Sequence, residues 1–304
     1  MKRDCSLSGS LLKRRQKSVN TAATVFLTPV LLIVFIYIVY PIFETFRLSF
    51  YNWNGISAEK IFCGAENWKT LLSDPRFWKG FMNNITIMVF SILIQIPIGL
   101  ALASFLEVGG KKYNFFKVIW FFPMLMSSVA IGFLFTYAFA TNGGIVSAVS
   151  SFFGGGNVDL LGDPHKVLGT IIGIIAWQYI PFYMVFFIAG YSGIGLELYE
   201  AAIIDGANRF QYFKEIALPL LYPTIVTACT MSLIGSLKYF DLVYVMTGGG
   251  PGTASELMAT YMYKQSFMSF QMGYGSTIAS GMLILITSIA LVINKTLNLR
   301  KVDY

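Results

Sequence analysis

Glu200-Ala201-Ala202-Ile203-Ile204-Asp205-Gly206-Ala207, continued at Ile216-Ala217-Leu218-Pro219, is a short polar stretch set between two long apolar ones, at about 167–190 and 222–237. A bilayer's hydrocarbon core is about 30 Å thick and a helix rises about 1.5 Å per residue, so apolar segments of this length read as membrane helices. The stretch between them is then a loop that leaves the bilayer and returns to it. The rest of the sequence decides how often the chain repeats that crossing.

Of 304 residues, 56% are hydrophobic and 12% charged, with a mean hydropathy of +0.65. Soluble domains carry about twice that share of charge. Six runs are mostly apolar, at about 24–43, 85–106, 115–137, 167–190, 222–237 and 277–293. Polar linkers separate them, so the expected fold class is all-α: a polytopic membrane protein with six transmembrane helices. A soluble alternative needs six buried helices of bilayer length in one domain. Residues 1–20 form a basic, serine-containing tail, and residues 21–304 form one membrane domain with no long repeat.

The net charge of +7 sits beside the apolar runs. Lys2, Arg3, Lys13, Arg14, Arg15 and Lys17 precede the first, Lys111, Lys112 and Lys117 follow the second, and Lys295, Arg300 and Lys301 follow the sixth. Basic residues favour cytoplasmic loops, so this pattern places both termini in the cytoplasm. The first outer loop departs from the rule with Arg47, Lys60, Lys69, Arg76 and Lys79, diluted by Glu44, Glu59, Glu66 and Asp74. The first apolar run is too long for a signal-peptide core, and Tyr40-Pro41-Ile42-Phe43 replaces a small-x-small cleavage site. Cys5, Cys63 and Cys229 fall in three different compartments on this topology, which indicates no disulfide framework. A single histidine, His165, cannot by itself make a metal site.

The opening stretch has a physical logic. Residues 197–207 have length for about three helical turns, in which Ala201 and Ala202 are strong helix formers and leave the backbone open to a partner. Glu200 suits the positive end of such a helix, and Gly206 permits a turn at positive φ. Phe210 and Phe213, three apart, can anchor the chain to the membrane surface. Pro219 and Pro223 fit the first turn of the next span. Small residues and a glycine are also what an ordinary inter-helix loop contains.

The full spacing, Glu-Ala-Ala, three residues, Gly, then Ile-x-Leu-Pro, resembles the EAA signature of ABC-importer permease subunits. Asp205-Gly206-Ala207, Leu218-Pro219-Leu220-Leu221-Tyr222-Pro223, Phe77-Trp78 with Asn83-Asn84, Phe122-Pro123, Tyr239-Phe240-Asp241 and Thr247-Gly248-Gly249-Gly250-Pro251 are similar to the carbohydrate branch of that family, the maltose and multiple-sugar permeases. The resemblance implies a type I importer fold in a bacterial cytoplasmic membrane. It also implies a coupling segment at about 197–219 that receives an ATPase subunit, through Glu200, Ala201, Ala202, Asp205, Gly206, Ala207, Phe210, Leu218 and Pro219. The implied partners are a second, similar permease, two ABC ATPase subunits, an extracytoplasmic solute-binding protein and the sugar itself. ATP and magnesium would bind the ATPases, and no cofactor is expected in this chain. The maltose member's additional N-terminal helices and large outer domain have no counterpart here.

Polar residues inside a span usually face a cavity or a neighbouring helix. The fourth run offers Trp177, Gln178, Tyr179, Phe182 and Tyr183, and the fifth offers Thr227, Thr230, Ser232, Ser236 and Tyr239. The family's sugar contacts lie on these two helices, and the resemblance transfers them by position to Tyr179, Phe182, Ser232, Gly235, Ser236 and Tyr239. Each has a plainer reading, since serines bond along or between helices and tyrosines anchor span ends. Lys238 and Asp241, three apart, have the spacing of a helical ion pair, and Gln95 and Pro97 that of a kink or helix contact.

No G-x-x-x-x-G-K-[ST] loop is present, and one histidine in an outer loop supports no Ser-His-Asp arrangement. The expectation is therefore a non-catalytic permease that forms half of a pathway for a carbohydrate, which the resemblance to the maltose and multiple-sugar branch narrows to an oligosaccharide. An ABC permease for glycerol phosphate, peptide or another polar solute remains an alternative. An ion-coupled secondary transporter is a further one, but it requires mid-membrane charges that the runs lack. Nothing in the sequence points to nucleic acid.

Overall fold

The computed structural model describes residues 24–109 and 114–298. The tail at 1–20, Cys5, Lys111, Lys112, Arg300 and Lys301 lie outside the described residues. In chain order the helices are α1 (Thr24–Leu48), α2 (Glu66–Ser73), α3 (Pro75–Gly109), α4 (Asn114–Leu125), α5 (Ser128–Ala138), α6 (Ile145–Phe152) and α7 (Val167–Tyr191). They continue with α8 (Leu196–Ile204), α9 (Arg209–Leu220), α10 (Tyr222–Leu237), α11 (Asp241–Thr247), α12 (Met258–Tyr263) and α13 (Met272–Asn298). A two-stranded antiparallel hairpin pairs Tyr51 with Phe62 and Asn52 with Ile61, a small exception to the all-α expectation. Asn54 closes its turn by accepting the backbone N–H groups of Ile56 and Ser57.

Four helices, α1, α3, α7 and α13, are long and apolar enough to cross a membrane. Two bent pairs raise the number to six when each is counted as one span. The third apolar run is one of them. It breaks between α4 and α5 with an 87° bend, because Ser127 is extended (φ −60°, ψ 136°) and its hydroxyl caps α5 at the Val129 N–H. The fifth run begins at Tyr222 as expected, but α9 meets it at 68°. Pro223, second in α10, cannot donate a hydrogen bond backward, so no continuous helix runs through the junction. Pro219 sits inside α9 rather than in the first turn of α10, a correction to the sequence expectation.

α3 has 35 residues, about 52 Å of helix, and so starts well outside a bilayer core. It packs along α7, where Gly99 makes the approach possible. A Cβ at that position would lie 2.8 Å from the Tyr183 Cβ and 3.1 Å from the Met184 N. Small residues at helix contacts are the usual device for close packing in membranes. Gln95 is buried on the same helix and donates to the Ser91 hydroxyl. The core has three apolar clusters. One gathers Phe187, Leu221 and Ala217 near α8 and α9, one gathers Ile87, Ile171 and Leu242 mid-bundle, and one gathers Phe77, Met258 and Ile278 at the opposite end. Cys63 and Cys229 are unpaired thiols, and no group of metal-ligating side chains occurs among the described residues.

Candidate functional site

The stretch from α8 to α9 is a helix, a reversal and a second helix. α8 begins at Leu196 and ends at Ile204, so Glu197 occupies its first turn and Glu200 its middle. The acidic residue at the positive end of the helix is therefore Glu197. The reversal is a Schellman motif: Ala207 N–H bonds to Ala202 O at 2.9 Å and Gly206 N–H to Ile203 O at 3.0 Å. It requires a left-handed residue after the C-cap, and Gly206 supplies it with φ +80°. Asn208 then starts α9 with a reciprocal cap, accepting from Gln211 N–H at 2.9 Å while its own N–H bonds to Gln211 Oε1 at 2.8 Å.

Ala202 is turned inward and buried, and Tyr199 meets Tyr212 edge to face at 4.9 Å, joining α8 to α9. Ala217 and Leu218 pack the unit into the same apolar cluster as Phe187 of α7. Glu200, Ala201, Asp205, Gly206, Phe210 and Pro219 are exposed, with Ala207 and Leu218 half-buried. Ile204 is 85% exposed and Phe210 70%, and Leu196 and Ile203 are exposed beside them. Sequence reasoning missed the two isoleucines, because within a membrane protein's composition an apolar pair carries no sign of facing outward.

The second group lies mid-bundle, where α7, α10 and the break between α4 and α5 come together. The rings of Tyr179 and Tyr239 meet edge to face at 6.3 Å. Phe182 lies further along α7, stacked on Phe186 at 6.3 Å. Ser232 and Ser236 are buried on α10, and a Cβ on Gly235 would meet nothing within 4 Å, so that face opens onto free space. Gln178 donates from Nε2 to the Ser128 hydroxyl at 3.2 Å, tying α7 to the start of α5. Three buried atoms have no hydrogen-bond partner among the described residues: Gln178 Oε1, Ser232 Oγ and Tyr239 OH. Buried polar atoms normally find partners, so these three orphans, on α7, on α10 and just past its end, are groups equipped to bond something else. Gln178 and Ser128 were not among the expected contacts. Gln178 was visible as a polar residue in a span, but Ser128 joins the group only through the fold.

Lys238 and Asp241 form no ion pair, because α10 ends at Leu237 and the helical spacing is broken before α11. The pair at that end of the bundle is Lys264 Nζ to the buried Glu256 Oε2, at 2.7 Å.

Residues 95–302 match the family model described as binding-protein-dependent transport system inner membrane component. A probable ABC transporter permease protein of Bacillus subtilis, YurN, is 35% identical over 88% of this chain and 92% of its own length. The trehalose/maltose transport system permease protein MalF of Thermococcus litoralis is 30% identical over 90% of this chain and 92% of its own. A chain from the crystal structure of a bacterial ABC transporter importing the acidic polysaccharide alginate superposes with a TM-score of 0.83 at 22% identity, covering 96% of this chain and 100% of that one.

Proposed function

The chain belongs to the family of binding-protein-dependent transport system inner membrane components, and from that premise we propose that it forms half of the membrane pathway for an uncharged carbohydrate. It is a multi-pass permease of an ABC importer, a transport subunit and not an enzyme. The observation that carries the carbohydrate is a set of uncharged polar atoms, Gln178 Oε1, Ser232 Oγ and Tyr239 OH, buried without partners, together with the rings of Tyr179 and Tyr239. Sugars present hydroxyls to such atoms and C–H faces to the negative faces of aromatic rings. The relative named for trehalose and maltose supports the same class.

In this reading the exposed face of α8 and α9, with Glu200, Ala201, Asp205, Gly206, Ile204 and Phe210, receives one of two ATPase subunits on the cytoplasmic side. Both termini lie on that side, and the membrane domain extends over 21–304. A second permease chain completes the pathway, and a solute-binding protein presents sugar at the opposite face. Nucleotide chemistry belongs to the ATPases. This chain receives their movement at α8, passes it through the 68° junction to α10, and so alternates the access of the cavity. The test is ATP-dependent uptake in proteoliposomes holding the assembled transporter and its solute-binding protein. Uptake of labelled maltose, trehalose or an arabinose oligosaccharide, competed by the unlabelled sugar, is expected. Competition by a dipeptide or glycerol phosphate with no response to any sugar overturns the carbohydrate assignment.

A further inference from the structure

We propose that Asn84 is a positioning residue that sets the geometry of the substrate cavity from outside it. The inference rests on the reading of α10 as a cavity wall. α10 ends at Leu237, and the last carbonyls of a helix lack partners within it. Asn84, on α3 and fully buried, supplies them. Its Nδ2 donates to Ser236 O at 2.8 Å and to Leu237 O at 3.3 Å. Its Oδ1 accepts the N–H of Met258, the first residue of α12, at 3.0 Å. Two carbonyls and one N–H leave a single orientation for the amide. One side chain therefore joins a long span, the end of the cavity helix and the start of the helix after the glycine-rich loop. Ser236, whose carbonyl it holds, is itself a cavity residue, and Tyr239 follows three residues later.

The loop on the other side of this link is stiff. Lys264 pairs with Glu256, whose Oε1 accepts from the Thr260 hydroxyl at 2.6 Å. The Ser255 hydroxyl bonds to Gly250 O at 2.5 Å and meets the Thr247 hydroxyl at 2.8 Å. A Cβ on Gly80 would lie 2.9 Å from Met258 N, so α3 touches the loop backbone to backbone. These bonds brace the loop as a fixed body, and Asn84 is the buried side chain that holds the end of α10 against it. The adjacent Asn83 is an internal control. It is equally buried and donates to Ala254 O at 3.1 Å and Glu256 O at 2.8 Å, but it bonds to the loop alone and not to α10.

The experiment uses the assembled transporter in membranes and reads the alkylation rate of Cys229 by N-ethylmaleimide, by mass spectrometry of its peptide. Cys229 lies on α10 two turns before Ser236, so its accessibility reports the placement of that helix and needs no knowledge of the sugar. N84D keeps the acceptor for Met258 N–H and sets a carboxylate against the two α10 carbonyls. It is expected to change the rate about threefold or more, with the complex still assembled. N83D, an equal insult to the loop, is expected to leave the rate unchanged. Should N84D fail to accumulate, N84S, which is uncharged and too short to span the three partners, is read in the same way. Equal effects of the Asn83 and Asn84 variants reduce the link to general structure and overturn the proposal, as does no effect from N84D. Half-saturation for trehalose or maltose is measured alongside and is expected to rise for N84D only. No response of the unmodified complex to any of the sugars tested counts against the carbohydrate reading, while the alkylation result still decides Asn84.

Discussion

Tyr239 carries a hydroxyl that is buried with nothing to bond, a condition costing about 1–3 kcal/mol. Tyr239→Phe removes the hydroxyl and little else. The expected outcome is a protein with an unchanged or higher melting temperature and a half-saturating sugar concentration raised about three- to tenfold, the worth of one neutral hydrogen bond. A variant that loses stability without losing affinity shows instead that the hydroxyl is satisfied in the fold. Gly206 makes the opposite kind of demand, on backbone and not on contacts. No atom lies within 4 Å of where its Cβ would be, so a substitution is penalised only by φ +80°. Gly206→Val costs about 1–2 kcal/mol in the left-handed region and should abolish uptake while the chain stays in the membrane. Gly206→Asn, which tolerates that region, should retain uptake, and equal loss by both variants removes the turn as the cause. The glycine was legible because only its own conformation is at stake. Asn84 was not, since its partners lie more than 150 residues away in sequence.

At the scale of elements, apolar length predicted the spans because bilayer thickness fixes it, and the start of α7 and both ends of α10 fall where the runs do. The break at Ser127 escaped that reasoning because hydropathy counts residues and is blind to direction. The contacts that order the helix ends were equally hidden. Asp74 precedes α3 and accepts the hydroxyls of Tyr261 at 2.6 Å and Tyr274 at 2.5 Å, with the Arg76 N–H at 2.9 Å. Burial pushes its pKa up, and the two tyrosines and the backbone donors more than offset that, leaving it below 3.8. A lowered folded pKa means the stabilisation is complete above the unfolded value and is lost as pH falls through the folded one. Hydrogen exchange across 258–274 should therefore be insensitive to pH between about 5 and 8 once the intrinsic rate is divided out, and should quicken below about pH 4. Asp74→Ala should quicken it at pH 7, and protection equal to wild type in that variant removes Asp74 as the tether.

For the whole molecule, α1 is the unbalanced part. No residue in its most apolar stretch is buried by the rest of the chain, although Phe26, Leu31 and Ile33 are as apolar as any core side chain. A helix that is apolar all round belongs in a core or in lipid, and its last turns pack on α13 while its beginning stands away from the bundle. Lipid alone satisfies the hydrophobicity but gives the helix no fixed place. On the proposed reading of the chain as half of a pathway, a second permease chain would give it both. A photoreactive residue in place of Ile33 should then cross-link the second permease in the assembled transporter. The adduct should vanish when this chain is expressed alone, since mere proximity to its own bundle would preserve it. Cross-linking to lipid only, in a complex that still imports sugar, shows that α1 is a membrane anchor and that the two halves meet elsewhere.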